Sequence, residues 1–369
     1  MSVVKEGWTY KLLNEVCDKG SSNIVINKLD GNDGDYPLYG ANGLVKKIDF
    51  FHQDKPYLGI VKDGAGVGRV NIYPAFSSLV GTMQYIFAKK ECLLEYIKYF
   101  LVKLDLSHCV SGATIPHIYF KDYGKERIPV PPIPTQQSIV SELDKINELI
   151  SLKKSQLNDL DALAQSIFYD MFGDPITNEK GWEMKKYSDC FTIGSGGTPS
   201  KSVPEYWDNG SIPWIGSNMC QNSVITETDG KFITEEGLKH SSAKMLEEGT
   251  VLVALVGATI GKVALLRTKT STNQNIAFIK VNETKEFVSE FVFFHLMNQY
   301  DDFMLIGNGD FKMASQAFIK ALNIMVPPLS LQHQFAERVE SIERMKQQVQ
   351  TAIKELETLF ASRMQYWFD

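Results

Sequence analysis

At 369 residues the chain exceeds one ordinary core and is long enough for two domains. Its 44% hydrophobic and 22% charged content is that of a globular protein; no run of eighteen apolar residues suggests a membrane span, and the opening MSVVKEGWTY has no apolar core of a secretory leader, so the expected compartment is cytoplasmic. A net charge of −6 argues against a free-standing nucleic-acid binder, and five cysteines without a C-x-x-C pair suggest neither a zinc site nor a disulfide framework, only reduced core residues.

Charge is dispersed along the chain. Residues 1–134 carry 16 basic and 14 acidic side chains, 135–172 carry 3 and 6, 173–328 carry 14 and 18, and 329–369 carry 5 and 6. Any DNA contact therefore requires local clusters, or partner subunits that supply much of the phosphate attraction.

From the N-terminus, GWTYK at Gly7 is followed by YPLYGANG at 36–43, where glycines allow close backbone approach beside the polar side chains of Tyr39 and Asn42. VKDGAGVGRV at 61–70 reads as hairpin-like, with Lys62 and Arg69 flanking its glycines. LLEYIKYFLVKL at 93–104 has helical spacing. After Pro131-Pro132, the residues Ile139, Leu143, Ile146, Ile150, Lys153, Leu157, Leu160, Ala164, Ile167 and Met171 alternate in steps of four and three. That is the seam of a coiled coil.

The second half repeats the first. GWTYK at Gly7 recurs as GWEMK at Gly181, and YPLYGANG at 36–43 recurs as IPWIGSNM at 212–219, offering Ser217 and Asn218. LVGATIGKV at 255–263 sets Gly257 and Gly261 opposite Gly64 and Gly68, with Lys262 matching Arg69. The offset between the copies is larger at the glycine strings than at Pro37 and Pro213, which locates a net insertion in the second copy between Pro213 and Gly257. TVLVALVG and QNIAFIKV are strand-like, EFVFFHLMNQ is helical, and the turn TSTNQN at 270–275 offers Asn273 and Gln274. VPPIPTQQ from Val130 recurs as VPPLSLQH from Val326, and a second seam runs Phe335, Val339, Ile342, Lys346, Val349, Ile353, Leu356, Phe360, Arg363, Trp367, every member at the same offset from its counterpart as Val326 from Val130.

Two seams in one register predict helices that pack on each other. The first delivers the chain into the second copy, so the second must run back antiparallel and return the C-terminus beside the N-terminus. About 33 residues of such helix make a rod of about 50 Å. The predicted fold is α/β (α+β): two tandem pseudo-symmetric mixed globular domains, 1–134 and 173–328, separated by an antiparallel two-helix coiled coil from 135–172 and 329–369.

Three motifs suggest chemistry that their residues do not support. LVGATIGKV fails as a phosphate loop, because three rather than four residues separate its glycines and Val263 follows the lysine. Val130-Pro131-Pro132-Ile133 and Val326-Pro327-Pro328-Leu329 lack the Asn or Asp of an adenine methyltransferase and read as prolines that open helices. Asp174 with Glu183-Met184-Lys185 imitates a nuclease pattern, but only Lys185 has a repeat mate, Lys11. The six histidines form no metal pair or triad in sequence. For Arg69 and Lys262 two readings stand: phosphate contacts at the edge of a DNA face, or solvated charges ending an ordinary strand pair.

The chain resembles, over nearly its whole length, the DNA-specificity subunits of type I restriction-modification systems. The resemblance is carried by YPLYGANG, GATIPHI at 112–118, the two PPxxxQ segments at 131–136 and 327–332, MFGDP at 171–175, IGSGGTPSKSVPEYW at 193–207 and IPWIGSNM. It implies that each domain is a target recognition domain reading one half of a split sequence in double-stranded DNA, and that the helices set the gap and dock two modification (methyltransferase) subunits. It implies no catalysis and no cofactor on this chain; S-adenosylmethionine, ATP and magnesium are expected on modification and restriction/translocase partners. By their motif positions Thr114, His117 and Thr198 join the DNA-facing candidates. The first copy has CDKGSSN where GGTPS is expected, and the second has GDFKMASQAF at 309–318 in place of GATIPHI. Two other functions fit less of the sequence: a protein-interaction scaffold, and an enzyme using the glycine strings for a nucleotide.

Overall fold

The computed structural model describes residues 7–112, 114–281, 284–300, 303 and 314–369. The chain divides into two compact units, Met1–Ser155 with Gln350–Asp369, and Gln156–Val349. Each unit thus takes part of both long helices.

In the first unit, strand Thr9–Leu12 pairs antiparallel with Arg127–Val130 and closes the copy. Between them lies a four-stranded antiparallel sheet in the order Cys17–Ser21, Met83–Ala88, Tyr57–Val61, Val70–Tyr73. A smaller sheet puts Tyr36–Gly40 between Gly43–Ile48, antiparallel, and Ser78–Leu79, parallel. Tyr57–Val61 is buried throughout because it is the inner strand between the sheets and helix Leu94–Leu104. One core packs Leu58, Ile60 and Ile86 against Tyr96, Ile97 and Phe100 of that helix; another packs Leu38, Ile48 and Leu79 against Tyr57, Tyr73 and Tyr85.

The second unit repeats the scheme. Met184–Lys186 pairs with Asn323–Met325, and the main sheet runs Thr192–Ser195, Ile276–Lys280, Thr250–Ala254, Val263–Leu266, then adds Ser223–Ile225 parallel to the last. Ile212–Ile215 again lies between an antiparallel strand, Phe232–Ile233, and a parallel one, Ser271–Thr272. The insertion between Pro213 and Gly257 has a structural content: the added strand Ser223–Ile225 and the short helix Glu235–Lys239 both lie in that interval.

The predicted helices span Ile133–Phe172 and Leu329–Phe368. All the predicted seam residues are buried or half-buried, including Leu157, Ile167, Leu356 and Phe360, which are half-buried. Within the first unit Lys154 pairs with Glu357 at 2.9 Å and Glu142 with Arg363; within the second Lys346 reaches Asp161 at 2.8 Å and Phe168 packs on Phe335. As the number on one helix rises, its partner's falls, so the pairing is antiparallel. The Trp8 ring stacks on Trp367 at 6.1 Å, which brings the two ends of the described chain together.

At the C-terminal end of each helix the seam departs from expectation. Phe168 and Phe172 are fully buried while the predicted Ile167 is half-buried, and Met364 and Phe368 are buried while the predicted Arg363 and Trp367 are half-buried. The buried face moves toward the next residue in both helices, although Met171 of the predicted seam stays buried beside Phe172, as a straight helix drifts against a seven-residue repeat and turns its face to its own globular core. Met364 and Phe368 accordingly join the core of Leu94–Leu104.

The PPxxxQ segments have one job in both copies. Gln136 is fully buried; its Oε1 accepts from the Leu93 N–H at 2.9 Å and its Nε2 donates to the carbonyls of Glu91 at 2.8 Å and Pro131 at 2.9 Å. Gln332 makes the same set with Val288 N–H, Glu286 and Pro327. Leu93 and Val288 are the N-cap residues immediately before the two globular helices Leu94–Leu104 and Ser289–Met297. One amide therefore pins each long helix to the helix of its own domain and satisfies a helix-terminal donor that would otherwise be buried unpaired.

Candidate nucleic-acid interface

The two glycine strings are tight turns of β-hairpins. In the first, Val61 N–H donates to Arg69 O and Gly68 N–H to Val61 O, at 3.0 and 2.8 Å; in the second, Ala254 N–H donates to Lys262 O and Gly261 N–H to Ala254 O, both at 2.9 Å. Gly64, Gly68, Gly257 and Gly261 all have positive φ, between 72° and 88°, which explains glycine there. The Val61, Gly68, Ala254 and Gly261 amides are thus consumed by the hairpins.

In the first unit the sequence candidates Tyr39, Asn42 and Arg69 line one open concavity of about 530 Å³. Asn42 sits exposed at the tip of the hairpin that pairs Gly40 with Gly43, and Arg69 is exposed on the same concavity. Arg69 lies back over its own turn, donating to the carbonyls of Ala65 and Gly66 at 3.3 Å; a Cβ at Gly66 would collide with its guanidinium. Tyr73 packs on Tyr39 at 4.7 Å, and burial raises its hydroxyl pKa, keeping it neutral and able to donate. Asn71, exposed between Val70 and Ile72, completes the lining. Sequence reasoning misses it, although strand alternation puts a polar amide there.

Lys62 stands apart from that concavity, beside Asp63 at 3.6 Å. Asp63 also accepts from Nδ1 of His117 at 2.7 Å, so the ring presents Nε2. The GATIPHI loop is laid across the hairpin turn, with Ile118 N–H donating to Lys62 O and Gly64 N–H to Pro116 O. Thr114 is exposed on this loop. Asp63 offsets the charge of Lys62.

In the second unit the candidates form a linked polar face. Lys262 Nζ donates to Gln221 Oε1 at 2.8 Å, and Gln221 Nε2 donates to Asn218 O at 3.0 Å. Asn218 and Asn273 both flank Gly216, where a Cβ would strike the Asn218 side chain; Asn273 N–H donates to Ile215 O at 3.0 Å. Thr198 donates its hydroxyl hydrogen to exposed Gln274. Ser217 is half-buried in the same turn as Asn218. Gln221 escapes sequence reasoning because it lies inside the insertion, outside every repeated string. Half of the substitute segment GDFKMASQAF, residues 309–313, lies outside the described residues.

The nuclease-like residues have structural partners. Lys185 pairs with Glu286 at 3.1 Å as Lys11 pairs with Glu91, the same bridge in both copies, and Asp174 Oδ1 accepts from Ile176 N–H at 2.7 Å. All five cysteines are free; Cys17, Cys92 and Cys220 are core residues as expected, whereas Cys109 and Cys190 are only half-buried.

With this duplicated geometry the comparisons agree. The family model "Type I restriction modification DNA specificity domain" matches twice, over residues 5–162 and 179–358. The chain belongs to this family. Among similar specificity-domain proteins, the Escherichia coli type I restriction enzyme EcoR124I/EcoR124II specificity subunit is 28% identical over 204 residues, covering 52% of this chain and 48% of that one. The Methanocaldococcus jannaschii MjaVIII specificity subunit is 24% identical over 333 residues, covering 80% and 76%. Alignments to the E. coli relative and to the M. jannaschii MjaIX specificity subunit span about half the length of each. The fold is that of the type I restriction-modification S subunit from M. genitalium, with TM-score 0.63 at 15% identity over 100% of this chain and 98% of that one. Among the described residues no helix is long and apolar enough to cross a membrane.

Proposed function

We propose that the chain is the non-catalytic specificity subunit of a cytoplasmic type I restriction-modification complex, and that its two units each read one half of a bipartite site in double-stranded DNA. One observation carries the reading. The same glycine hairpin occurs in both units, and the Gly-x-Asn string recurs in a β-hairpin in the first and in the 3-10 turn Ser217–Met219 in the second; beyond the shared Asn42 and Asn218 the side chains gathered there differ, Tyr39, Arg69 and Asn71 in one, Gln221, Lys262 and Gln274 in the other. A shared scaffold with exchanged amide and cationic groups suits two readers of different sequence.

The long helices act in this proposal as the spacer. Each has 40 residues, a length of about 60 Å, more than the roughly 34 Å of one duplex turn, so an unread gap separates the halves. The helices also dock two modification subunits, with S-adenosylmethionine there and ATP and magnesium on restriction subunits. These partners supply the phosphate attraction that a chain of net charge −6 lacks. A nucleotide-using enzyme is disfavoured because neither glycine string has the spacing or the Ser/Thr of a phosphate loop, and the Gly68 and Gly261 amides donate within their hairpins.

Methylome sequencing of cells with and without the gene tests the proposal. The expected result is one split motif, methylated only when the gene is present; an unchanged methylome in cells expressing the modification subunits sinks it.

A further inference from the structure

The chain on either side of the loop that carries Thr114 and His117 brings three metal-ligating side chains together. His108 and Cys109 end the 3-10 turn Leu106–Cys109, and Glu126 immediately precedes the closing strand Arg127–Val130. One ligand atom from each lies within 4.8 Å of the others.

The orientation of His108 makes this more than proximity. Its Nδ1 is 2.9 Å from the carbonyl oxygen of Asp105, which can only accept, so Nδ1 carries the hydrogen. Nε2 then faces Glu126 Oε1 at 3.2 Å. In the neutral ring two lone pairs would oppose each other, so the pair requires a proton on Nε2 or a cation between the groups. A backbone carbonyl fixing the far nitrogen is also how proteins orient a metal-binding imidazole. Asp105 is held at φ 49°, and its side chain accepts from Ser107 N–H at 3.2 Å, which sets the turn that aims His108.

We propose that His108 Nε2, Cys109 Sγ and a Glu126 carboxylate oxygen bind one divalent transition metal of the zinc class, clipping the ends of the 110–125 loop. The mixed nitrogen, sulfur and oxygen donor set selects zinc, cobalt or nickel over magnesium or calcium, which take oxygen ligands. Tetrahedral zinc spaces its ligands by about 3.3–3.8 Å, so the half-exposed side chains need to close by about 1 Å. Binding releases the thiol proton, and any proton on Nε2, to solvent; the thiolate and imidazole lone pairs form the new bonds, and water completes the fourth position. The clip ties together the two ends of a segment whose middle is already held by the Gly64–Pro116 and Ile118–Lys62 hydrogen bonds, lowering its remaining conformational freedom.

Cobalt titration of the full chain is the test, read as the near-ultraviolet charge-transfer band of a cobalt-bound thiolate. One equivalent should produce the band, zinc should abolish it by displacement, and C109S should remove it, while C190S, changing the other half-buried cysteine, should keep it. H108Q should weaken zinc binding roughly tenfold or more. Hydrogen exchange over 110–118 should slow when zinc is added. No band, a band that survives C109S, or loop exchange indifferent to zinc overturns the proposal. This outcome is independent of DNA reading, since neither readout contains DNA.

Discussion

The two units close their long-helix pairs with different chemistry. In the first, Glu142 accepts from Arg363 in a two-pronged contact and from Trp367 Nε1 at 2.9 Å, while the Arg363 guanidinium lies over the rings of Tyr366 and Trp367. In the second, Phe168, Phe172 and Phe335 pack with Phe291 and Phe294, ring centroids 4.8 to 6.2 Å apart. The repeat mates of Arg363 and Trp367 are Ile167 and Met171, so the latch is particular to the first unit, while Phe368, packed on Tyr96 and Phe100, keeps an aromatic contact where its mate Phe172 packs on Phe291. A half-exposed ionic latch contributes little and responds to salt; a buried aromatic cluster contributes more and does not.

Phe335 is therefore the residue whose loss should cost most. It is fully buried against Phe168, Phe172 and Phe294. F335A should destabilise the second unit by about 3–5 kcal/mol. Hydrogen exchange followed by mass spectrometry should show faster exchange in Gln156–Val349, with the first unit's helix Leu94–Leu104 little changed. An equal loss in both units would mean the two junctions are not separate.

A second difference is acid response. His295 occupies in helix Ser289–Met297 the place that Phe100 holds in Leu94–Leu104, each being the seventh residue of its helix. It is fully buried, accepts from Met325 N–H at 3.2 Å and meets the Tyr187 hydroxyl at 3.2 Å; burial pushes its pKa down to about 3. The unfolded chain takes this proton near 6.5 and the folded one only near 3. The stabilisation is thus complete above about pH 6.5 and is lost as pH falls toward 3, at about 1.4 kcal/mol per unit. At pH 5 the second unit should have lost about 2 kcal/mol that the first, with Phe100, retains. Exchange rates corrected for intrinsic pH dependence decide it; a first unit that loosens earlier would refute the assignment.

What the sequence disclosed follows the range of the interactions. The helices are legible because a seam in steps of four and three from Ile139 and from Phe335 has one local cause, repeated at a constant offset. The hairpins are legible because their glycines sit at positions that only positive φ explains. Tyr39, Asn42 and Arg69 are found singly, but that they share a concavity with Asn71 depends on pairing between strands far apart in the chain. Gln136 and Gln332 are visible as a motif without a job, since the amides they accept from lie 43 and 44 residues away. His108, Cys109 and Glu126 have no metal-like spacing, and reading the histidines singly conceals the cluster that the fold assembles.

The smallest effect belongs to the ionic latch. Glu142 is held below its ordinary pKa, first by the Arg363 hydrogen bond, with Trp367 adding to it and burial opposing. A depressed carboxyl stabilises the fold above its unfolded value near 4.5, and the contribution is lost as pH falls through the lower folded value. E142Q should therefore cost about 0.5–1 kcal/mol at pH 7 and less at high salt, because both partners are partly exposed. Below that window the variant and the native chain should become equally stable. Because His295 acts from about pH 6.5 downward and Glu142 only below about 4.5, acid should loosen the second unit before the latch of the first lets go. A cost for E142Q that is independent of salt would place the stabilisation in the packing of Arg363 on Trp367 rather than in its charge, since stacking on an aromatic face survives screening.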